Sequence, residues 1–215
     1  MLKNMSSIHF NIFNKSQMKT FEKLKIFRND AVLGGGTALA LQIAHRYSYD
    51  FDLFFKRELR RKDILRLKEE IKIKDIELNT TEQINVISGY NIRLNLIFYP
   101  FKPLFKVIKT SSLSLLSIKD IALDKAYTIG RRAIWRDYVD IFFLLKDGYI
   151  TIHEILKSAP KKFGPEFNKR LFLEQLIYFK DLQITKISFF KEEFSENGIK
   201  KFLLKEVKNS KNQIL

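Results

Sequence analysis

The fold of this chain is decided by the sequence Gly34-Gly35-Gly36-Thr37, which leads through a helix-forming segment into Asp50-Phe51-Asp52. An apolar run, 31–33, precedes the glycines, so we expect a strand that ends in a tight turn. Glycine lets the backbone approach a ligand closely and present its N–H groups. Thr37 opens the following helix, at the end where phosphate is favoured. The stretch therefore predicts a phosphate-binding strand–turn–helix unit.

The two aspartates begin a second predicted strand, 50–55. Side chains at positions i and i+2 of a strand share one face, so Asp50 and Asp52 project together while Phe51 and Leu53 enter the core. A lone Asp-x-Asp is usually a solvated strand or turn, and a lone glycine run is usually a flexible turn. Together, in this order, they favour a site for Mg²⁺ or Mn²⁺ and a nucleoside triphosphate, because these cations bind carboxylate and phosphate oxygens.

These residues resemble the first motif of the AbiEii/AbiGii toxin-type nucleotidyltransferases, which belong to the DNA polymerase β-like superfamily. The similarity runs through residues 35–39 and through His45-Arg46-x-Ser48-x-Asp50-x-Asp52-Leu53-Phe54. The resemblance implies that Asp50 and Asp52 are catalytic metal ligands. It also implies that the nucleotide is bound by Gly35, Gly36, Thr37, Arg46 and Ser48.

A second block resembles later motifs of the same family. It contains Asp120 and Lys125, then Arg132, then Arg136-Asp137-x-x-Asp140. The resemblance implies that Lys125 and Asp137 are catalytic and that Arg132 and Arg136 bind the nucleotide. On an unbroken helix Lys125, Arg132, Arg136 and Asp140 would form one stripe. An ordinary solvated face, with Arg136 paired to Asp140, is the alternative.

One position departs from the superfamily pattern, which commonly adds a third carboxylate from a later strand. The predicted strand 92–98 has the right alternation but offers Arg93 and Asn95 instead of an acid. Three consequences are open. The enzyme uses one metal with another base, for which Asp137 is the candidate; Asn95 serves as a neutral ligand; or activity is reduced.

The composition restricts the partners and the compartment. The 215 residues include no cysteine, are 46% hydrophobic and carry a formal net charge of +15. We therefore expect a reducing, cytoplasmic setting, no membrane span, and nucleic acid as a polyanionic partner. The alternative explanation of the charge is a lysine-rich surface that keeps the protein soluble.

The apolar periodicities predict an α/β fold of the nucleotidyltransferase type, a mixed β-sheet flanked by helices, followed by a helical C-terminal part. We place the α/β core with its N-terminal helix in residues 1–115 and the helical part in residues 116–215. The predicted strands are 31–33, 50–55, 76–80, 84–88 and 92–98. The predicted helices are 14–27, 37–44, 60–73, 118–131, 135–145, 152–157, 165–179, 189–194 and 199–207.

The resulting functional prediction is a Mg²⁺-dependent nucleotidyltransferase that moves a nucleoside monophosphate to an acceptor hydroxyl. By resemblance, the acceptor is RNA, the 3′ end of a tRNA, and the chain is the toxin of a toxin–antitoxin or phage-defence pair with a possible cognate antitoxin. Transfer to a small molecule or protein is one alternative. A basic nucleic-acid-binding protein with a degenerate site is the other.

Overall fold

The structure is a computed structural model that describes residues 8–214, with side chains described up to residue 210. The chain divides into two compact units, Met1–Ser117 and Ile118–Leu215. Within the described residues, the N-terminal unit holds the β-sheet and the C-terminal unit is built from helices. Each unit is described by itself.

The N-terminal unit contains one mixed sheet of the predicted kind. Its strands are β1 Ala31–Gly34, β2 Phe51–Phe55, β3 Ile73–Asn79, β4 Gln83–Ser88 and β5 Arg93–Phe98. They lie in the order β1-β2-β5-β4-β3, in which β2 and β5 are parallel and the other neighbours are antiparallel. Strands β4 and β5 are joined by a tight turn at Gly89–Asn91, where Asn91 adopts a positive φ of 58°.

Helices cover the apolar face of this sheet. They are α1 Lys15–Lys23, continued by a 3-10 turn at Leu24–Phe27, α2 Gly35–Ile43 and α3 Arg61–Ile71. Alternate residues of β2 are fully buried, and the Phe51 ring stacks on Phe21 with their centroids 6.2 Å apart. Most of α2 is buried as well. Asp52 lies on the other face of β2 and is partly accessible at the sheet surface.

The C-terminal unit consists of α4 Ile118–Ile129, α5 Trp135–Lys146, α6 Ile152–Phe163, α7 Lys169–Leu176 and α8 Glu196–Ile214. Helix α6 begins with a capping box, in which the Thr151 hydroxyl accepts from the Glu154 backbone and the Glu154 side chain accepts from Thr151. Apolar residues at helical spacing extend α6 past Pro160 and well beyond the predicted end at residue 157.

The prediction of a helix at residues 189–194 is wrong, because this segment has no helical structure. The Phe189 and Phe194 rings instead pack against Phe143 of α5, with centroid distances of 6.0 and 5.5 Å. The aromatic spacing that resembled a helical period reflects this cluster. Among residues 8–214, no helix has both the length and the apolar character that crossing a bilayer requires.

Candidate functional site

The glycine turn joins β1 to α2 as the sequence predicted. Gly35, the first residue of α2, has a positive φ of 64°. A Cβ atom added at Gly35 would lie 2.0 Å from Oδ2 of Asp52, so the carboxylate occupies the space that any other residue would need. The turn and the predicted metal ligand are therefore in direct contact.

Strand pairing holds Asp52 in this place. In the register of the sheet, Asp52 of β2 lies opposite Gly34 of β1 on one side and Asn95 of β5 on the other. The Asn95 side-chain amide donates a hydrogen bond of 2.8 Å to Oδ1 of Asp52. One carboxylate oxygen thus lies beside β5 and the other beside the glycine turn.

Asp50 lies just before β2 and is partly exposed. Its backbone carbonyl accepts a hydrogen bond of 2.5 Å from the hydroxyl of Thr37, whose side chain is fully buried. The Thr37 hydroxyl therefore holds the backbone at Asp50, the residue just before β2. A contribution of Thr37 to phosphate binding would come from its backbone N–H, since the first N–H groups of a helix have no acceptor within it.

Arg46 and Ser48 are also brought to the turn. A Cβ atom at Gly36 would lie 2.6 Å from Nη2 of Arg46 and 3.0 Å from Oγ of Ser48. The Arg46 side chain is buried, and its Nη1 donates to the carbonyl of Tyr47 at 3.0 Å. A side chain at Gly35 or at Gly36 would therefore displace the neighbouring side chains from the turn.

Sequence reasoning missed Gln17, which supports this loop. The side-chain amide of Gln17 donates to the Ser48 carbonyl at 2.8 Å, and the residue is almost completely buried. Gln17 also completes the capping box of α1 with Asn14. The pattern Asn14-x-x-Gln17 is visible in the sequence as a capping signal, but its second contact with the loop is not.

The donor set at the turn fits Mg²⁺ or Mn²⁺ held jointly with a substrate. Within the described residues, no cluster of three or more histidine, cysteine, aspartate or glutamate side chains could enclose a metal ion. Mg²⁺, however, commonly binds to one or two carboxylates and completes its octahedral shell with water and substrate phosphates. Asp50 and Asp52 are the carboxylates near the glycine turn that could take part in such a site, and their role as metal ligands stays a prediction.

The C-terminal unit gathers the second block of predicted residues into a charge cluster of its own. The buried ammonium group of Lys125 lies 2.7 Å from Oδ1 of Asp137 and 2.6 Å from Oδ2 of Asp140. Arg132, which is half exposed, donates from Nε to Oδ2 of Asp137 at 2.9 Å. Lys125, Arg132, Asp137 and Asp140 are referred to below as the Lys125 cluster.

The Lys125 cluster controls the charge of Asp137. Burial by itself would raise the pKa of this carboxyl group, but the charges of Lys125 and Arg132 outweigh burial and hold the pKa below its ordinary value. A carboxylate with a lowered pKa is a weaker proton acceptor. The geometry consequently favours Asp137 as an anchor for the two cations, and its role as a base stays a prediction.

The helix that carries this block is not continuous, so the single stripe expected from an unbroken helix does not form. Helix α4 ends at Ile129 and α5 begins at Trp135. The bend brings Asp137 back towards Lys125, whereas Arg136 is exposed and forms no ion pair with the described residues. The alternative Arg136–Asp140 pair is not formed either, because Asp140 is buried against Lys125.

A second buried charge group in this unit was not predicted. The ammonium group of Lys162 in α6 is fully buried, 3.1 Å from Oδ1 of Asp120 and 2.5 Å from Oδ1 of Asp124 in α4. The aspartates belong to the recognised block, but nothing in the sequence marked Lys162 as their partner. The group ties α4 to α6.

Comparison with known proteins supports the resemblance that the first motif carries. Residues 21–88 match the family model described as "Nucleotidyl transferase AbiEii toxin, Type IV TA system". A protein of Aquifex aeolicus (strain VF5), "Uncharacterized protein aq_aa25", is 28% identical over 175 residues, which span 78% of this chain and 83% of that protein.

Solved structures share the fold. MenT4, the nucleotidyltransferase toxin Rv2826c from Mycobacterium tuberculosis H37Rv, aligns with a TM-score of 0.57 and 15% identity over 89% of this chain and 81% of its own. A crystal structure from H. pylori, assigned as a nucleotidyltransferase, aligns with a TM-score of 0.55 and 16% identity over 92% of this chain and 96% of its own.

The family match covers the glycine turn, Asp50 and Asp52, whereas the block around Lys125 lies outside it. The roles of that block therefore stay predictions. Residues 21–88 are therefore similar to the AbiEii-type nucleotidyltransferase toxin domain, as the first motif predicted, and the chain is an enzyme of the nucleotidyltransferase class.

Proposed function

We propose that this chain transfers a nucleoside monophosphate from a Mg²⁺-bound nucleoside triphosphate to a hydroxyl group of RNA, with the 3′ end of a tRNA as the acceptor. The acceptor oxygen attacks the α-phosphorus, the bond to the β-phosphate oxygen breaks, and pyrophosphate leaves. The observation that supports the proposal is the close approach of Asp52 to Gly35, since it joins the carboxylate proposed to bind the metal to the turn proposed to bind phosphate.

The N-terminal unit supplies the groups that hold the substrate in this proposal. Asp50 and Asp52 bind the cation, which neutralises phosphate charge and activates the α-phosphate when bound. The N–H groups of Gly35, Gly36 and Thr37 lie in the first turn of α2 and would bind the phosphates. Arg46 and Ser48, which crowd Gly36, add a positive charge and a hydroxyl donor at the same turn.

The Lys125 cluster enters the proposal through the family resemblance. The resemblance assigns stabilisation of the leaving pyrophosphate to Lys125 and Arg132. Within the cluster, Arg132 is the half-exposed cation that can reach an anionic ligand, and Lys125 is the buried one that orients Asp137 and Asp140. Arg136, exposed on α5, is a further candidate for the nucleotide.

RNA is the acceptor that the charge of the chain supports best. The net charge of +15 is expected to attract a phosphate backbone at long range. Lys201, Lys205 and Lys208 are exposed and lie at i, i+4 and i+7 on α8, so they form a stripe of positive charge along one helix face. We propose that this stripe contacts the RNA backbone.

The biological setting follows from the family description, which names a toxin of a type IV toxin–antitoxin system. We propose that the chain is the toxin of such a pair, that a cognate antitoxin opposes it, and that it acts in the cytoplasm, where nucleoside triphosphates and tRNA meet.

The proposal is tested by incubating the protein with Mg²⁺, each α-labelled triphosphate in turn, and total RNA. We expect label in the tRNA fraction for the wild type and none for Asp50→Ala or Asp52→Ala. Asp75→Ala, which removes an exposed carboxylate from β3 of the same unit, is the matched control and should label RNA normally. Label in a small molecule or in protein would show a different acceptor. Triphosphate-independent RNA binding without transfer would show a degenerate site.

A further inference from the structure

Asn95 lies on the strand from which the superfamily pattern commonly supplies a third acid. Its side chain forms a hydrogen bond with Asp52 instead. Asn95 of β5 and Asp52 of β2 are register partners across the parallel strand pair. The amide Nδ2 of Asn95 donates to Oδ1 of Asp52 at 2.8 Å. An ionised carboxylate in this position could not donate, because it carries only acceptor oxygens.

The bond from Asn95 divides the two oxygens of Asp52 between two neighbours. Oδ1 accepts from Asn95, and Oδ2 lies against Gly35, 2.0 Å from the position of a Cβ atom there. A quarter turn of the carboxylate about its Cβ–Cγ bond would move both oxygens out of these places and break the bond to Asn95. The amide thereby holds the plane of the carboxylate so that one oxygen faces the glycine turn.

We propose that Asn95 is a positioning residue that orients Asp52, so that Oδ2 meets a single divalent cation at the turn. This inference rests on the proposed function, since it assumes that the cation binds beside Gly35. A carboxylate at position 95 would place a second negative charge at hydrogen-bonding distance from Oδ1. Two such charges repel each other unless a further cation lies between them. The amide makes that further cation unnecessary.

Asn85 provides a matched control. It lies on β4 as the register partner of Asn95 and, like Asn95, is partly buried. Its Oδ1 accepts from Nε2 of Gln83 at 2.9 Å, on the same strand. A substitution at Asn85 therefore removes a similar amide from the same sheet face without removing the bond to Asp52.

The experiment measures Mn²⁺ binding, in the absence of any turnover, by electron paramagnetic resonance of the free ion. For the wild type we expect one tight Mn²⁺ per chain. Asn95→Leu should weaken it about tenfold, the usual effect of losing a group that orients a metal ligand. Asn95→Asp, which keeps the size of the side chain, should add a second Mn²⁺ per chain. Asn85→Leu should bind as the wild type does.

Thermal unfolding of each variant checks that it is folded under the conditions of the titration. Wild-type behaviour of both Asn95 variants would overturn the positioning role, while the proposed function would stand. Weakening by Asn85→Leu equal to that by Asn95→Leu would overturn it as well, because the effect would then come from the sheet face in general. No Mn²⁺ binding by the wild type, either alone or with a non-hydrolysable triphosphate, would overturn the proposed function itself, and the inference with it.

Discussion

Oδ2 of Asp52 lies 2.0 Å from the point where a Cβ atom of residue 35 would be, so the carboxylate fits only because residue 35 is glycine. Glycine is favoured at this position for two reasons: the carboxylate of Asp52 occupies the space of a side chain, and the backbone has a positive φ of 64°. We expect Gly35→Ala to displace Asp52 from the turn and to abolish nucleotidyl transfer. The measurement is label transfer at saturating Mg²⁺, together with triphosphate affinity.

Gly148→Ala separates the two reasons. Gly148 has a similar positive φ of 69°, but a Cβ atom there would meet nothing within 4 Å. The Gly148→Ala variant should lose about 1 kcal/mol of unfolding free energy through backbone strain and should keep its nucleotidyl transfer activity. If Gly35→Ala retains transfer at the level of Gly148→Ala, the contact with Asp52 has no part in the reaction.

Much of the N-terminal unit was predictable because apolar and polar residues alternate along much of β2, β4 and β5. The buried and accessible residues of β2 alternate without exception, which fixed the face on which Asp52 lies. The glycine run predicted a turn that a ligand can approach closely. The structure shows that side chains of the protein itself also lie against this turn, Asp52 at Gly35 and Arg46 and Ser48 at Gly36.

The contacts that could not be predicted join residues distant in sequence. Asn95 reaches Asp52 only because β5 inserts beside β2 in parallel register. In the sequence nothing distinguishes Lys162 from the other lysines. It is buried beside Asp120 and Asp124 because α6 packs on α4. The local periodicity of the sequence predicts neither of these contacts. The same limitation produced the false helix at 189–194, where aromatic residues were spaced for contact with α5.

Removal of Lys125 should affect the stability of the C-terminal unit. Lys125→Ala leaves Asp137 and Asp140 buried with one cation fewer, and we expect a loss of about 3–5 kcal/mol in unfolding free energy. Lys119→Ala breaks a pair with Glu154 in which both side chains are about 40% exposed, so its loss should be at most about 1 kcal/mol. Denaturant unfolding measures both.

Triphosphate affinity, measured where Lys125→Ala is still folded, then tests its predicted role in the site. A selective loss of affinity relative to Lys119→Ala would support that role. Equal small effects of the two substitutions on stability and on affinity would instead describe Lys125 as part of an ordinary solvated face.

Acid should weaken the Lys125 cluster. The pKa of Asp137 is lowered in the folded protein, so the folded state binds fewer protons than the unfolded state around that range. The stabilising contribution is therefore present above the ordinary aspartate pKa and is lost as the pH falls through the lowered value. Asp137→Asn cannot titrate, and its unfolding free energy should decrease less steeply than that of the wild type below about pH 5. Parallel pH profiles for the two proteins would contradict this assignment.

Binding of tRNA should depend on salt through the α8 lysines. Each phosphate contact releases roughly one counterion, so replacing Lys201, Lys205 and Lys208 together by glutamine should reduce the slope of log affinity against log salt by about 2 to 3. Three exposed lysines of the N-terminal unit, Lys56, Lys62 and Lys106, provide a control of equal charge change. Equal slopes for the two triple variants would contradict a contact along α8.

We propose that the glycine turn and the two aspartates catalyse transfer of a nucleoside monophosphate to RNA. The most direct test supplies the same triphosphate labelled either at the α- or at the γ-phosphate and follows both labels with tRNA and Mg²⁺. We predict that the α-label enters RNA, that the γ-label is released as pyrophosphate, and that Asp52→Ala does neither while Asp75→Ala does both. Entry of the γ-label into RNA, or α-label transfer by Asp52→Ala at the wild-type rate, would contradict it.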